Sequence, residues 1–275
     1  MKRIVLALAT TLVSFVCMAK DPVQVSVMSF NTRGENETDG SNSWSYRYPA
    51  VTTMIEEELA DIVCLQEATM LQLKYFCEAI SQYKWIGVGR QDGKKEGEYT
   101  SILYNSKKYS VVKHGSFWLS ETPGTASAGW GADHACNAYW AVVKEKKSGS
   151  SFLVVNTHID VDDEAFRKNA VALICSKVAE LNQGNLPVVV CGGFGMEGSA
   201  SCMEALGSGM QNARDTAFKS DSTRTYHNYG KVSQTTDHFF FSGFSSCQEF
   251  RTVTKRYYDR AFLSDHNPII ANFIF

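Results

Sequence analysis

Apolar and polar residues alternate from Val23 to Phe30, and this period of two predicts a β-strand. Apolar residues then recur at helical spacing from Tyr48 to Leu59, followed by the short apolar run of Asp61 to Leu65, which predicts a strand buried on both faces. Thr69 to Ile80 predicts a second helix. Trp85 to Gly89, Ser101 to Tyr104 and Val111 to Trp118 predict strands, with Asp92-Gly93 marking a turn. Trp140 to Val143 and Phe152 to Val155 predict a pair of strands around the Ser148-Gly149-Ser150 turn. Glu164 to Leu181 predicts a long amphipathic helix, and Pro187 to Cys191, His238 to Phe241 and Ile269 to Phe275 predict further strands. Strands occur both as hairpins and separated by helices. That mixture predicts an α/β protein of α+β type: two mixed β-sheets packed face to face with helices outside, a four-layer α/β/β/α sandwich. A doubly wound nucleotide fold would need strict strand–helix alternation and a glycine-rich first turn, and the chain has neither.

The N-terminus modifies this picture. Met1-Lys2-Arg3 is followed by an apolar run from Ile4 to Val16, and Cys17-Met18-Ala19 puts small residues at a signal-peptidase spacing. The run is short for a bilayer span, so residues 1–19 are expected to be a cleaved export signal and residues 20–275 a single domain. The expected location is outside the cytoplasm: periplasmic, extracellular or envelope-associated. Val16 argues against lipid attachment at Cys17. No other stretch has the length of a transmembrane helix, and a monomer is expected. The chain has 27 basic and 29 acidic residues; without Lys2 and Arg3 the balance is 25 against 29, or −4. Long nucleic acid is usually gripped with a basic excess, so small phosphorylated molecules are favoured as partners. Seven cysteines follow Cys17, an odd number with no CxxC pair, which argues against a zinc site. Cys64, Cys175 and Cys191 sit in apolar runs and read as buried thiols. Export leaves room for one or two disulfides of unassigned pairing.

Candidate chemistry gathers at strand ends. Asn31 follows the first strand, Gln66-Glu67 the second, and Asn156-Thr157-His158 the run Phe152 to Val155; Ser264-Asp265-His266 precedes the last strand. Any one of these is more often a solvated loop residue or a satisfied structural histidine. Strand ends, however, converge on one rim of a sheet, so the set can share a pocket.

The segments MSFNTR (28–33), DIVCLQE (61–67), VVNTHID (154–160) and LSDHNPI (263–269) resemble the endonuclease/exonuclease/phosphatase family, relatives of deoxyribonuclease I. IGVGRQDGKKEGEYTSILY (86–104) and GSFWLSETP (115–123) resemble a bacterial subgroup of undefined substrate. The resemblance runs from about Val25 to the C-terminus. It implies the four-layer sandwich, one divalent ion (Mg2+ or Mn2+) at Glu67, and hydrolysis of a phosphate mono- or diester by an activated water. It further implies that Asn31 supports the metal shell, that Asp265 lies close to the metal and its waters, and that His266 binds a phosphate oxygen or exchanges a proton. Asp237 would orient His266, His158 would contact the phosphate with Asn156 beside it, and Glu98 would buttress His158.

The chain departs from that pattern where the family carries a GDFN-like segment. Here Cys191-Gly192-Gly193-Phe194-Gly195 puts Gly193 in place of the aspartate that activates water and Gly195 in place of the asparagine that donates to phosphate. Losing a general base costs about 10² to 10⁴ in rate, and losing one preorganised donor about 10² to 10³. Cys136 stands where the subgroup usually has arginine, six residues after Trp130, and Thr236 where an apolar residue is usual. Glu197, Asp160 and Asp162 are the nearby carboxylates that could substitute for the missing one. The expectation is a metal-dependent phosphoesterase of reduced activity; the alternative is an inactive member that binds a phosphorylated ligand or metal. Trp44, Trp118, Trp130 and Trp140 invite a stacking role, which core packing explains better for Trp118 and Trp140, leaving Trp130 as the expected pocket wall. Arg90, with Lys94 and Lys95 in the same charged loop, is either part of a solvated hairpin tip or a substrate-binding rim.

Overall fold

The computed structural model describes residues 22–275; the expected export signal, residues 1–19, lies outside them. The chain forms β1 (Gln24–Asn31), α1 (Trp44–Glu58), β2 (Ile62–Ala68), α2 (Met70–Ala79), β3 (Tyr83–Ile86), β4 (Tyr99–Asn105), β5 (Tyr109–Trp118), β6 (Asn137–Glu145) and β7 (Ser151–His158). It continues with α3 (Glu164–Leu181), β8 (Val188–Gly193), α4 (Glu204–Gly207), β9 (Gln211–Asn212), α5 (Ala213–Thr216), β10 (Asp237–Ser242), β11 (Ser246–Thr252) and β12 (Ile269–Ile274). One six-stranded sheet has the order β11-β12-β1-β2-β4-β3, the other β5-β6-β7-β8-β10-β9. Within them β1 runs parallel to β2, and β7 parallel to β8.

Alternation along the central strands explains the four layers. Val25, Val27, Ile62 and Cys64 of the first sheet face Val154, Val189, Cys191 and Phe239 of the second in one core. Their neighbours Met28, Phe30, Val63 and Leu65 point the other way, onto Val51, Met54, Ile55, Leu73 and Phe76 of α1 and α2. Leu153, Val155, Val188 and Val190 similarly meet Phe166, Ala170, Val171 and Ile174 of α3. Strands buried on both faces read as unbroken apolar runs, which is why DIVCL and VVVC stand out in the sequence.

Several boundaries differ from expectation. α1 starts at Trp44, four residues early, with Pro49 inside it. Proline removes a helical hydrogen bond, but Trp44 holds the first turn by packing its ring edge-on against Phe76 at 5.6 Å. The strand expected over Trp85 to Gly89 is displaced to Tyr83–Ile86, leaving Gly89 as an isolated bridge to Tyr99. β9, β11, α4 and α5 have no counterpart among the sequence expectations. Trp44 and Trp118 are buried at 5% exposure each, so neither is free to stack on a ligand. The seven cysteines among the described residues are all free; Cys64 and Cys191 are buried as expected, whereas Cys175 is half-buried. No helix among the described residues is long and apolar enough to cross a membrane.

Candidate active site

β1, β2, β7 and β8 all end toward one rim of the sandwich, and β10 and the segment before β12 enter the sheets there. Gln66 ties the two sheets together at this end, donating from Nε2 to Asn156 Oδ1 at 2.6 Å. A cleft of about 510 Å³ opens over the rim, and Glu67, His158, Gly193, Gly195, Asp265 and His266 all line it. These six sequence-predicted positions are therefore brought together from separate segments of the chain.

Glu67 occupies an irregular step where the β2–β4 register shifts between Leu65 and Ala68. Its φ of 54° is left-handed, a conformation costing a non-glycine residue about 1–3 kcal/mol and found where function fixes a side chain. Asn31 Nδ2 donates to Glu67 Oε1 at 2.8 Å, and Asn31 Oδ1 accepts from the Arg33 backbone N–H at 2.9 Å. Asn31 thus supports the carboxylate and keeps its oxygen for the backbone. Arg33 pairs with Asp39 at 3.1 Å and approaches Asp265 at 3.9 Å. Its hydrogen bond to Asp39 and the charges of Asp265 and Glu67 hold it firmly protonated against the effect of burial. Glu67 and Asp265 offer hard carboxylate oxygens to one cleft. That suits a magnesium-like ion, which takes one or two carboxylates and completes its shell with water and substrate phosphate.

Next to Asp265 stands the Asp237–His266 pair. His266 Nδ1 donates to Asp237 Oδ2 at 2.8 Å, and Thr236 Oγ1 donates to the same oxygen at 3.1 Å. Burial opposes protonation of His266, but the Asp237 carboxylate outweighs it and raises the imidazole to about 9. The Tyr226 ring lies 4.6 Å from the imidazole and covers it. Thr236, at a position where the family usually has an apolar residue, supplies a hydrogen bond to the aspartate.

β8 reaches the same cleft without polar side chains. Gly193 is in register with His158 on one side and Asp237 on the other. A Cβ added at Gly193 would stand 3.0 Å from His158 Cδ2 and 3.7 Å from Asp237 Oδ1, so a side chain here would enter the centre of the site. His158 Nε2 lies 3.6 Å from Glu67 Oε1. Gly195 is different: its φ is +67°, and a Cβ would come 2.7 Å from the Ile159 carbonyl oxygen and 3.3 Å from Arg167 Nη2. The Arg167 guanidinium, from α3, fills the space beside Gly195. It pairs with Asp162 at 2.9 Å, while its buried Nε has no hydrogen-bond partner among the described residues.

Other candidates lie elsewhere. Asn156 is fully buried between the sheets, donating to the Leu65 and Ser101 carbonyls at 2.9 and 2.8 Å; it joins layers and does not line the cleft. Glu98 pairs with Arg90 at 2.8 Å, and burial and the Glu67 charge raise its pKa, so it contributes to the field around His158 without bonding it. Arg90 is committed to Glu98 and, at 2.7 Å, to Asp160. This corrects the substrate-rim reading, because both ends of its fork face protein carboxylates. Trp130 is half-buried, packs edge-on against Phe166 at 5.5 Å at the margin of the α3 core, and does not line the cleft. Buried Cys136 donates its thiol to Asp160 Oδ1 at 2.9 Å. Glu197, considered as a stand-in for the missing aspartate, is held by Arg224 at 3.1 Å and the Thr235 N–H at 3.0 Å, away from the cleft.

Arg33, Arg167, Tyr226 and Arg47 escaped the sequence reading. Arg47 is completely buried and donates to the carbonyls of Asn42, Thr32, Leu263 and Arg33 at 2.5, 3.0, 2.7 and 2.9 Å. It fastens the loop after Asn31 to the segment leading into Asp265. Its one sequence signal is a cation on the apolar side of a helix.

A rim of strand ends carrying Glu67, Asp265 and an aspartate–histidine pair on two stacked mixed sheets has the deoxyribonuclease I-like architecture. The chain belongs to the endonuclease/exonuclease/phosphatase family. A family member from Bacteroides thetaiotaomicron superposes with a TM-score of 0.88 at 31% identity, over 93% of this chain and 99% of that one. The mannosyl-6-phosphatase of the same organism superposes with a TM-score of 0.86 at 31% identity, over 91% of this chain and 100% of that one. An uncharacterized protein of Acanthamoeba polyphaga mimivirus is 30% identical over 139 residues, 47% of this chain and 51% of that protein, so the chain spans about half the length of this curated relative. No protein-family model matches the chain.

Proposed function

We propose that the protein is a metal-dependent phosphoesterase of low turnover acting on a small phosphorylated molecule, with a sugar phosphate as the first substrate to test. The observation that carries this reading is the Asp237–His266 pair at 2.8 Å opening into the same cleft as Glu67 and Asp265. Glu67 and Asp265 would hold the divalent ion, which, when bound, neutralises charge developing on the phosphate. His266, kept protonated by Asp237, donates to a phosphate oxygen or delivers a proton to the leaving oxygen. His158 faces the same oxygens. Arg167 lines the cleft on the side where the family's asparagine would stand and brings a positive charge there. The similarity to a mannosyl-6-phosphatase and the overall negative balance of the chain favour a small substrate over long nucleic acid.

Low turnover follows from Gly193. No carboxylate stands between His158 and Asp237, so the attacking water lacks a positioned base. The same observation favours a second reading, a module that binds a phosphorylated ligand and does not turn it over. Hydrolysis of p-nitrophenyl phosphate, bis-p-nitrophenyl phosphate and mannose 6-phosphate with Mg2+ or Mn2+ separates the two. Slow hydrolysis lost in Glu67→Ala supports the enzyme. Silence of the native chain with tight binding of inorganic phosphate supports the module.

A further inference from the structure

Outside the acidic centre of the cleft, one group of side chains combines nitrogen, sulfur and oxygen donors. Asp160 Oδ1 faces His134 Nε2 at 2.9 Å and Cys136 Sγ at 2.9 Å. The three donor atoms all lie within 4.8 Å of one another. Asp160 gives its other oxygen to Arg90 at 2.7 Å, which leaves Oδ1 for this group. The far nitrogen of the imidazole, His134 Nδ1, meets the Asp133 carboxylate at 2.5 Å. This is the carboxylate–histidine arrangement that fixes the ring and raises the basicity of a metal-binding nitrogen.

We propose that His134 Nε2, Cys136 Sγ and Asp160 Oδ1 form a second divalent-metal site, selective for Zn2+, beside the phosphate cleft. The donor set decides the ion. A thiolate and an imidazole suit a borderline-soft cation, whereas the oxygen-only pair of Glu67 and Asp265 suits a hard one. Tetrahedral zinc ligands stand roughly 3.3–3.7 Å apart at ordinary bond lengths, so the two 2.9 Å contacts of Asp160 need to open by less than about 1 Å, while the His134 and Cys136 donors already lie within 4.8 Å of each other. His134, with 36% of its side chain exposed, and Asp160, with 25%, have room to do so. On binding, Zn2+ displaces the proton of the Cys136 thiol and any proton on His134 Nε2, and both go to solvent. The thiolate and the Asp160 carboxylate balance its charge, while Arg90 stays on Oδ2 and on Glu98. Three protein ligands leave a fourth position for water, the pattern of an open zinc site. Cysteine spacing could not reveal the site, because a His-x-Cys step completed by an aspartate at a strand end contains no CxxC pair.

The test is a titration of the metal-free protein with Co2+, following the thiolate-to-cobalt charge-transfer band, and then displacement of Co2+ by Zn2+. One equivalent of Co2+ should produce the band, and one equivalent of Zn2+ should remove it. Cys136→Ser should abolish the band, and Asp133→Asn should weaken binding about 10- to 100-fold. Glu67→Gln should leave the band intact, so the result is independent of phosphoesterase activity. A native protein without the band, or a band that survives in Cys136→Ser, overturns the proposal. Should Cys136→Ser fail to fold by circular dichroism, the surface variant His134→Ala decides the matter in its place: the band must be lost or weakened at least about tenfold, and an unchanged band overturns the site.

Discussion

The two walls of the cleft are built in opposite ways. Around Glu67, Asp265 and His266, each functional side chain also holds backbone or a neighbouring chain. Asn31 bonds both Glu67 and the Arg33 N–H, and Arg47 fastens the loops that carry Asn31 and Asp265. At the end of β8 and just beyond it the wall is backbone alone, at Gly193 and Gly195. The contrast shows which parts of a catalytic set folding itself protects. Removing Asp237 would strand a buried imidazole and a threonine hydroxyl, and removing Arg47 would strand the carbonyls it serves. A side chain at position 193 would meet His158 and Asp237 Oδ1 but no backbone group. It can be lost without unfolding the protein, and only chemistry suffers.

The sharpest way to break this comparison is to repair the bare wall and then damage the intact one. Gly193→Asp should raise hydrolysis of p-nitrophenyl phosphate with Mg2+ by about 10² to 10⁴, the usual worth of a positioned base. Adding Glu67→Ala to that variant should remove the gain and more, at least about 10³-fold, because an ion in the cleft supplies several kcal/mol of charge stabilisation. A Gly193→Asp protein that folds and stays silent would mean that the acidic wall is misaligned despite its hydrogen bonds.

Asp237→Asn is expected to have a smaller effect on rate, about 10- to 100-fold in that active background, by analogy with the loss of a group that orients a histidine. Its second readout is stability against pH. The His266 pKa is raised in the fold, so the pair's contribution is fully present below the unfolded value near 6.5 and is lost as pH rises through about 9. Asp237 is lowered: burial raises its pKa, but His266 outweighs that, so its contribution is present above its ordinary value of 3.8 and is lost as acid protonates it. The stability gap between the native protein and Asp237→Asn, followed by urea denaturation with chelator present, should therefore be widest between those limits, near pH ~6, and shrink above pH ~9. A gap independent of pH would mean that Asp237 acts through packing alone.

The same contrast explains what was legible in the sequence. Central strands such as DIVCL announced themselves because burial on both faces leaves no polar position. β11 did not, because Ser246–Thr252 is a polar edge strand with a bulge between Cys247 and Glu249. Pro49 masked the first turn of α1. In the site, Glu67, His158, Asp265 and His266 were readable as polar residues at strand ends. Arg33, Arg47 and Arg167 were not, because a cation in a loop or helix has the same appearance whether it faces water or a ring of carbonyls. Asn156, Arg90 and Trp130 were misplaced for a related reason: a residue's place in a strand or turn does not show what lies across from its side chain.

Gly195 separates two kinds of absence along β8, and replacing it has the smallest expected effect on chemistry. Gly193 has no positive φ, and the atoms its side chain would meet belong mainly to the His158 ring, which can shift. Gly195 has taken a left-handed φ of +67° and packs against the Ile159 carbonyl, which cannot move without disturbing the β7 end. Asparagine tolerates the left-handed region better than most residues, so the contact with that carbonyl dominates. Gly195→Asn should destabilise the protein by about 1–3 kcal/mol, whereas Gly193→Asp should cost less. Adding the asparagine to Gly193→Asp should also bring no second gain in rate, since Arg167 already fills the space beside it. Thermal melts of the two single variants, with initial rates for the double, check both halves. A stable Gly195→Asn protein whose double variant exceeds Gly193→Asp by about tenfold or more would show that the β8 turn relaxes to the family's geometry and that Arg167 withdraws from it.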